Sequence, residues 1–313
     1  LSHAEASMGT KSSPADLLHD GEAMTLCPSK LLHEKDESMT ESETRSFDLG
    51  IITVIPEQTR IIRQFLQSGD GFSEWKVRGQ RWVMSGTIPF VETSGGPSRL
   101  SVISTQTLDQ GNQSAAKAYD VLKAEGTFSL VVLADIAGGI HENVKLGDVL
   151  VANDVIYYDR RAITEMGDEH RGKHYTMPAE ILNTINRFLV LNGQPCVLRT
   201  AEPGVGEDSG TFRVHVGPIG SGEAVLKYAD SSTRAWLKSV NSKTLGVEME
   251  AAGVLAADQE EGRDSGTYGA LVVRGISDHA DEEKDDSWRV RACQHVLDTI
   301  LAIAPAAHET LLS

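Results

Sequence analysis

The strongest constraint on the fold is a set of unbroken apolar runs that end in glycine, proline or a carboxylate. Leu49-Gly50-Ile51-Ile52-Thr53-Val54-Ile55 is one, Leu130-Val131-Val132-Leu133-Ala134 is another, and Leu271-Val272-Val273 is a third. Runs without polar alternation suit strands covered on both faces. Between them lie segments with helical spacing. Pro56 ends the first run and can open a helix whose stripe is Ile61, Ile62, Phe65 and Leu66. Further helices are expected over Asn112–Lys123, Ala179–Leu191, Ser232–Val240, Ala251–Glu261 and Arg289–Ile303. Strands are expected at Trp82–Ser85, Leu100–Ser104, Asp148–Val155, Phe212–Ile219 and Leu271–Gly275. The alternation predicts a single α/β domain, with a central twisted, mixed and mostly parallel sheet flanked by helices, over residues 47–313. Residues 1–46 are rich in Ser, Thr and Glu without a sustained period, and they read as a disordered acidic tail with short helical turns near Ala15–Leu18.

Composition narrows the partners. The 313 residues carry a net charge of −16, which argues against nucleic acid, because phosphate binding needs a basic face. No run is long and apolar enough for a membrane span, and the first residues lack a charged segment followed by an apolar core. Cys27, Cys196 and Cys293 are far apart and form neither metal spacing nor a disulfide framework, so a reducing, cytoplasmic setting is expected. No metal or cofactor is expected. His170 and His174 are read as loop residues, and His279 lacks companion ligands. The glycines of Ala137-Gly138-Gly139 and Gly217–Gly222 read as turns, with neither a dinucleotide fingerprint nor a Walker lysine. Ser221 is not in a nucleophile elbow.

Two strand ends carry the chemistry. The strand that begins Leu271-Val272-Val273 runs into Ser277-Asp278, and a short apolar strand runs into Glu248-Met249-Glu250 just before the helix Ala251–Glu261. Open α/β sheets keep their sites at such carboxyl ends. Paired carboxylates without lysines suit a neutral or cationic group, such as a sugar cation.

Taken in order, LGIITVIPEQ, GNQSAA, IAGGIHENVKLGDVLVANDV, GPIGSGE, GVEMEAAG and VVRGISDHAD resemble the purine nucleoside phosphorylase/uridine phosphorylase superfamily, and within it the methylthioadenosine/S-adenosylhomocysteine nucleosidase type. The likeness covers about residues 48–303. It implies cleavage of a purine, adenine-type, N-glycosidic bond. Asp278 would assist departure of the base beside Ser277, and Glu250 would bind the ribose hydroxyls. Met249 would pack on the sugar, with Glu248 on the same side. Ala137 and Gly138 would border the ligand, and Ser221, Val225 and Leu226 the purine, with Val225 standing where an aromatic is usual. Arg274 would be a structural ion-pair partner.

The likeness breaks at two further places. Gln58 occupies the position of a water-activating glutamate, with Glu57 one residue early as the substitute base, and Asp135 replaces a glycine. A carboxylate at 135 would repel phosphate or cap a turn. No arginine set marks a phosphate clamp; Arg60 and Arg63 read as surface charges on the first helix. Water is therefore the expected acceptor, with phosphate as the alternative. A nucleoside-binding sensor with little turnover is the reading from another class. The resemblance also implies a homodimer or larger assembly.

Overall fold

The computed structural model describes residues 45–77, 81–200, 210–262, 266–281 and 287–312. The expected tail and its turns near Ala15–Leu18 lie outside them, except that Ser46 already opens the first strand. Residues 43–313 form one compact unit.

The strands are β1 (Ser46–Thr53), β2 (Ser73–Lys76), β3 (Trp82–Val91), β4 (Pro97–Gln106), β5 (Thr127–Gly139), β6 (Val149–Tyr157), β7 (Arg161–Thr164), β8 (Gly167–His170), β9 (Lys173–Thr176), β10 (Cys196–Arg199), β11 (Thr211–Ser221), β12 (Gly246–Glu248) and β13 (Ala270–Asp278). The helices are α1 (Pro56–Ser68), α2 (Asn112–Glu125), α3 (Ala179–Asn192), α4 (Ser232–Val240), α5 (Ala251–Glu261) and α6 (Arg289–Ala307).

The main sheet runs β10-β11-β6-β13-β5-β1-β4-β3-β2. Its centre is parallel: β5 pairs with both β1 and β13, and β1 with β4. It is less parallel than the sequence predicts, because β6 runs antiparallel to β13 and both edges are antiparallel. The three apolar runs are the central strands. Ile51, Ile52, Val131, Leu133, Val272 and Val273 are all buried, as strands sandwiched between helices must be.

The glycine segments expected as turns are strand. β5 continues through Gly139 and β11 through Ser221. Glycine is needed there for close approach. A Cβ on Gly246 would meet Leu150 Cδ1 at 2.6 Å, so only a bare backbone lets β12 wedge between β11 and β5. His170 and His174 end up in strands β8 and β9, not in a loop. His174 Nδ1 lies 3.0 Å from Asp154, and His170 stacks on Trp236 at 4.7 Å. Among the described residues no group of three or more metal-ligating side chains forms, and no helix is long and apolar enough to cross a membrane.

Helices α2 and α5 touch where Gly253 faces Asn112. A Cβ on Gly253 would lie 1.9 Å from the Asn112 carbonyl oxygen, on rigid backbone. We therefore expect Gly253→Ala to destabilise the fold by about 1–3 kcal/mol through overpacking, measured by urea denaturation. An unchanged midpoint would contradict this close packing.

Candidate active site

The chain folds so that two acidic strand ends meet across one residue. Gly138, near the end of β5, is in register with Asp278 of β13 on one side and Val247 of β12 on the other. The carboxylates of Asp278 and Glu248 are thereby brought to the same end of the sheet. A Cβ on Gly138 would stand 3.0 Å from Asp278 Oδ1 and 2.8 Å from the Ala280 methyl, so the residue must be small. Around this point opens a cleft of about 110 Å³.

Nine of the residues expected from sequence line it: Ala137, Gly138, Val225, Leu226, Glu248, Met249, Glu250, Ser277 and Asp278. Three do not. Ser221 is fully buried beneath the cleft; its hydroxyl donates to Asn112 Oδ1 at 3.2 Å and accepts from the Ala252 N–H at 3.1 Å. Gln58 is also fully buried, on the inner face of α1, and neither atom of its amide has a hydrogen-bond partner among the described residues. Glu57 sits outside the cleft wall, with Oε1 3.6 Å from Arg289 Nη1. Reasoning from sequence missed Gln110, Tyr158 and Arg289 as lining residues. They come from loops and a helix start with no apolar period or acidic pair to mark them.

The first turn of α5 organises the acids. Helix starts leave N–H groups without partners, and here each one is met. Glu248 Oε2 accepts from Glu250 N at 3.0 Å and Ala251 N at 2.8 Å. Ser221 takes the Ala252 N–H, and Asn112 Oδ1 takes Gly253 N at 2.8 Å. The buried Arg274 guanidinium then joins the two glutamates, with Nη2 donating to Glu248 Oε2 and to Glu250 Oε2, the latter at 3.2 Å. Arg274 is thus the ion-pair partner the sequence suggested. Glu250 Oε1 accepts from Gly111 N at 2.9 Å. Glu248 Oε1 is buried with no hydrogen-bond partner among the described residues.

Burial dominates the titration. It pushes Glu250 up to about 7, with Arg274 pulling the other way and the charge of Glu248 adding to the rise. A raised carboxyl favours the folded state most while protonated. Its contribution is complete below the ordinary value of 4.5 and is lost as pH rises through about 7. Arg274 is opposed by burial, yet Glu248, Glu250 and Asp135 hold it above the usual guanidinium value.

Asp135 caps the turn between β1 and α1. Its Oδ2 accepts from Val54 N at 2.6 Å and Ile55 N at 2.8 Å, and its Oδ1 from Ile136 N at 2.8 Å. Burial still raises its carboxyl, against Arg274 and these three donors. It also lines the cleft. Asp278 is held differently. Oδ1 accepts from Ala280 N at 2.9 Å and Oδ2 from Ser277 Oγ at 3.0 Å. Ala280 has φ 52°, a left-handed conformation costly for alanine, and this turns its N–H toward Asp278. Arg234 of α4 fixes the same turn by donating to the carbonyls of His279 and Ile140, both at 3.2 Å.

A family model described as the phosphorylase superfamily matches residues 48–311, and the chain belongs to that superfamily. ATP nucleosidase Cap17 of Escherichia coli (strain KTE188) is 27% identical over 209 residues, 63% of this chain and 40% of that protein. The chain therefore spans less than half the length of that curated relative. A 5′-methylthioadenosine/S-adenosylhomocysteine nucleosidase of Staphylococcus haemolyticus (strain JCSC1435) is 22% identical over 241 residues, covering 77% of this chain and 90% of that protein. The fold matches the Streptococcus pneumoniae MTA/SAH nucleosidase in complex with 8-aminoadenine, with a TM-score of 0.61 at 21% identity, over 83% of this chain and 99% of that one. It also matches the futalosine hydrolase of Helicobacter pylori, with a TM-score of 0.59 at 18% identity, over 82% and 97%.

Removing one member of a buried ion cluster leaves the others uncompensated. We expect Arg274→Ala to cost about 3–5 kcal/mol in urea denaturation. A loss below about 1 kcal/mol, the range of an exposed pair, would show that Arg274 does not hold the two glutamates.

Proposed function

We propose that this chain is an N-ribosyl hydrolase that cleaves the glycosidic bond of an adenine-type nucleoside or its 5′-substituted form. The observation that carries this reading is the meeting of Asp278 with Glu248 and Glu250 across Gly138 in one cleft. The relatives' names, ATP nucleosidase and methylthioadenosine/S-adenosylhomocysteine nucleosidase, agree on an adenine nucleoside and differ at the 5′ position.

The bond between the base nitrogen and C1′ breaks with its electron pair leaving on the base. Asp278 would deliver a proton to the base, or hold one shared with it, as that charge develops. The sugar would pass through an oxocarbenium-like state. Glu250 and Glu248 would grip the ribose hydroxyls and place negative charge near the cation, and Met249 would lie against the ring. The oxygen of water would then bond to C1′, giving the free sugar and free base, and the proton that water loses balances the one the base gains. Asp135 stands in the cleft wall and disfavours an anionic acceptor at that place. This supports water over phosphate. Gln58 and Glu57 are not among the lining residues, so neither is assigned the role of base here. A homodimer or larger assembly and a cytoplasmic setting belong to the same proposal.

The test is release of free adenine, followed by chromatography. Asp278→Asn should lower kcat by ~10²–10⁴-fold with its melting temperature nearly unchanged. A fully active Asp278→Asn protein would remove the assigned role. The ionised form of Glu250 stabilises the sugar cation, so kcat/KM should rise with pH through about 7. Glu250→Gln should flatten that limb; a limb that persists in the variant would assign it to another group.

A further inference from the structure

The attacking water needs a group to take its proton, and the cleft narrows the choice. Among the described residues its wall holds four carboxylates, from Asp135, Glu248, Glu250 and Asp278, and no histidine or cysteine. Three of the four have other work. Asp278 is the acid proposed to face the base, with Oδ1 accepting from Ala280 N and Oδ2 from Ser277 Oγ. Glu248 and Glu250 both meet Arg274, and they are the acids proposed to hold the ribose. Outside the wall, the Gln58 amide cannot take a proton, and Glu57 faces Arg289. Asp135 is the acid left.

Its setting is that of an anion supplied by the protein itself. Val54 N and Ile55 N, in the turn between β1 and α1, both donate to Oδ2, and Ile136 N donates to Oδ1. Converging backbone N–H groups form a nest for an anion, and here a side-chain carboxylate fills it. A free anion is thereby kept out, and a proton acceptor stands in its place. A carboxylate accepts about four hydrogen bonds, so three backbone donors do not exhaust it. Burial makes this carboxyl hold a proton more firmly than an exposed aspartate does, while Arg274 and the three N–H donors favour its ionised form. Position agrees with the role. Asp135 is in register with Arg274 on β13, whereas Asp278 is in register with Gly138, three residues further along β5 and roughly 10 Å away at strand spacing. The two acids thus rise from points far enough apart for a sugar and a water to stand between them. We infer that Asp135 is the general base of this chain, its carboxylate taking a proton from the attacking water. An O–H bond of water breaks toward Asp135 as the water oxygen bonds to C1′. The electron pair of the glycosidic bond leaves on the base nitrogen, and the base takes up the proton held by Asp278. Asp135 afterwards returns its proton to solvent. The inference rests on the nucleosidase reading, which supplies the reaction.

The experiment measures adenine release from adenosine, 5′-methylthioadenosine, AMP and ATP by the full chain and its variants Asp135→Asn, Asp135→Ala and Asp278→Asn, with and without sodium azide. Melting temperatures are taken in parallel, because both Asp135 variants also lose contacts to the β1–α1 turn, and rates are compared well below the lowest of them. Asp135→Asn should lower kcat ~10²-fold or more with little change in KM. Azide is a nucleophile that has no proton to lose, so it needs no base. In Asp135→Ala the space left by the carboxylate and its three N–H donors suits such a small anion. Azide should therefore raise the rate of that variant at least ~10-fold, part of what the base supplied, and yield ribosyl azide, identified by mass spectrometry. Asp278→Asn should gain nothing from azide, because its defect lies in the departing base. A turn cap and nothing more would lower the melting temperature and leave the rate of the folded variants unchanged, or lower the rate without rescue by azide. Either result overturns the inference while the nucleosidase reading stands. If the wild-type chain releases no adenine from any of the four substrates, that reading fails and the inference falls with it.

Discussion

A single buried guanidinium sets the geometry on which the rest of the site depends. Arg274 comes from the central strand β13, where flanking residues are apolar and buried. A charge in such a place needs close opposite charge. The two glutamates at the start of α5 supply it, and in doing so they fix where their remaining oxygens point. Glu248 gives one oxygen to Arg274 and the helix start and leaves the other unmet among the described residues. Glu250 is held between Arg274 and Gly111. The cost of burying Arg274 thus becomes the preorganisation of a negative cleft, the condition under which a developing cation is stabilised without rearrangement.

The backbone does the complementary work. β12 is only three residues long, yet it pairs with β11 on one side and β5 on the other. It can do so because Gly246 and Gly138 leave room that side chains would fill. The left-handed turn at Ala280 and the Arg234 clamp on His279 hold Asp278 from the opposite flank. Elements far apart in sequence therefore converge on one residue, Gly138. The acid proposed to face the base and the acids proposed to face the sugar are positioned independently.

Much of this is legible in the sequence, for physical reasons that differ by element. The apolar runs have to be central strands because nothing else buries both faces of such a segment. The acids at Asp278 and at Glu248–Glu250 can be placed at the sheet's carboxyl end because each follows such a strand directly. The glycine segments mislead, because a glycine needed for close approach looks the same as one needed for a turn; Gly220 lies in strand, where a Cβ would meet Leu237. Ser221 borders the right loop but points to the α5 start, a choice that depends on Asn112, far away in the chain. Gln58 keeps the expected position in α1 yet faces inward. Arg289 carries no signal of its own, since its place in the cleft depends on how α6 meets α1.

The central claim is that the cleft is built for a positively charged ribose. The most direct test is the affinity of an adenine nucleoside analogue with a protonated nitrogen in the sugar ring, compared with its neutral counterpart, in wild type and in Glu250→Gln. The cationic analogue should bind wild type at least ~10²-fold more tightly, as transition-state mimics do, and most of that gap should vanish in the variant. Equal affinity of the two analogues for the wild-type chain would contradict the account.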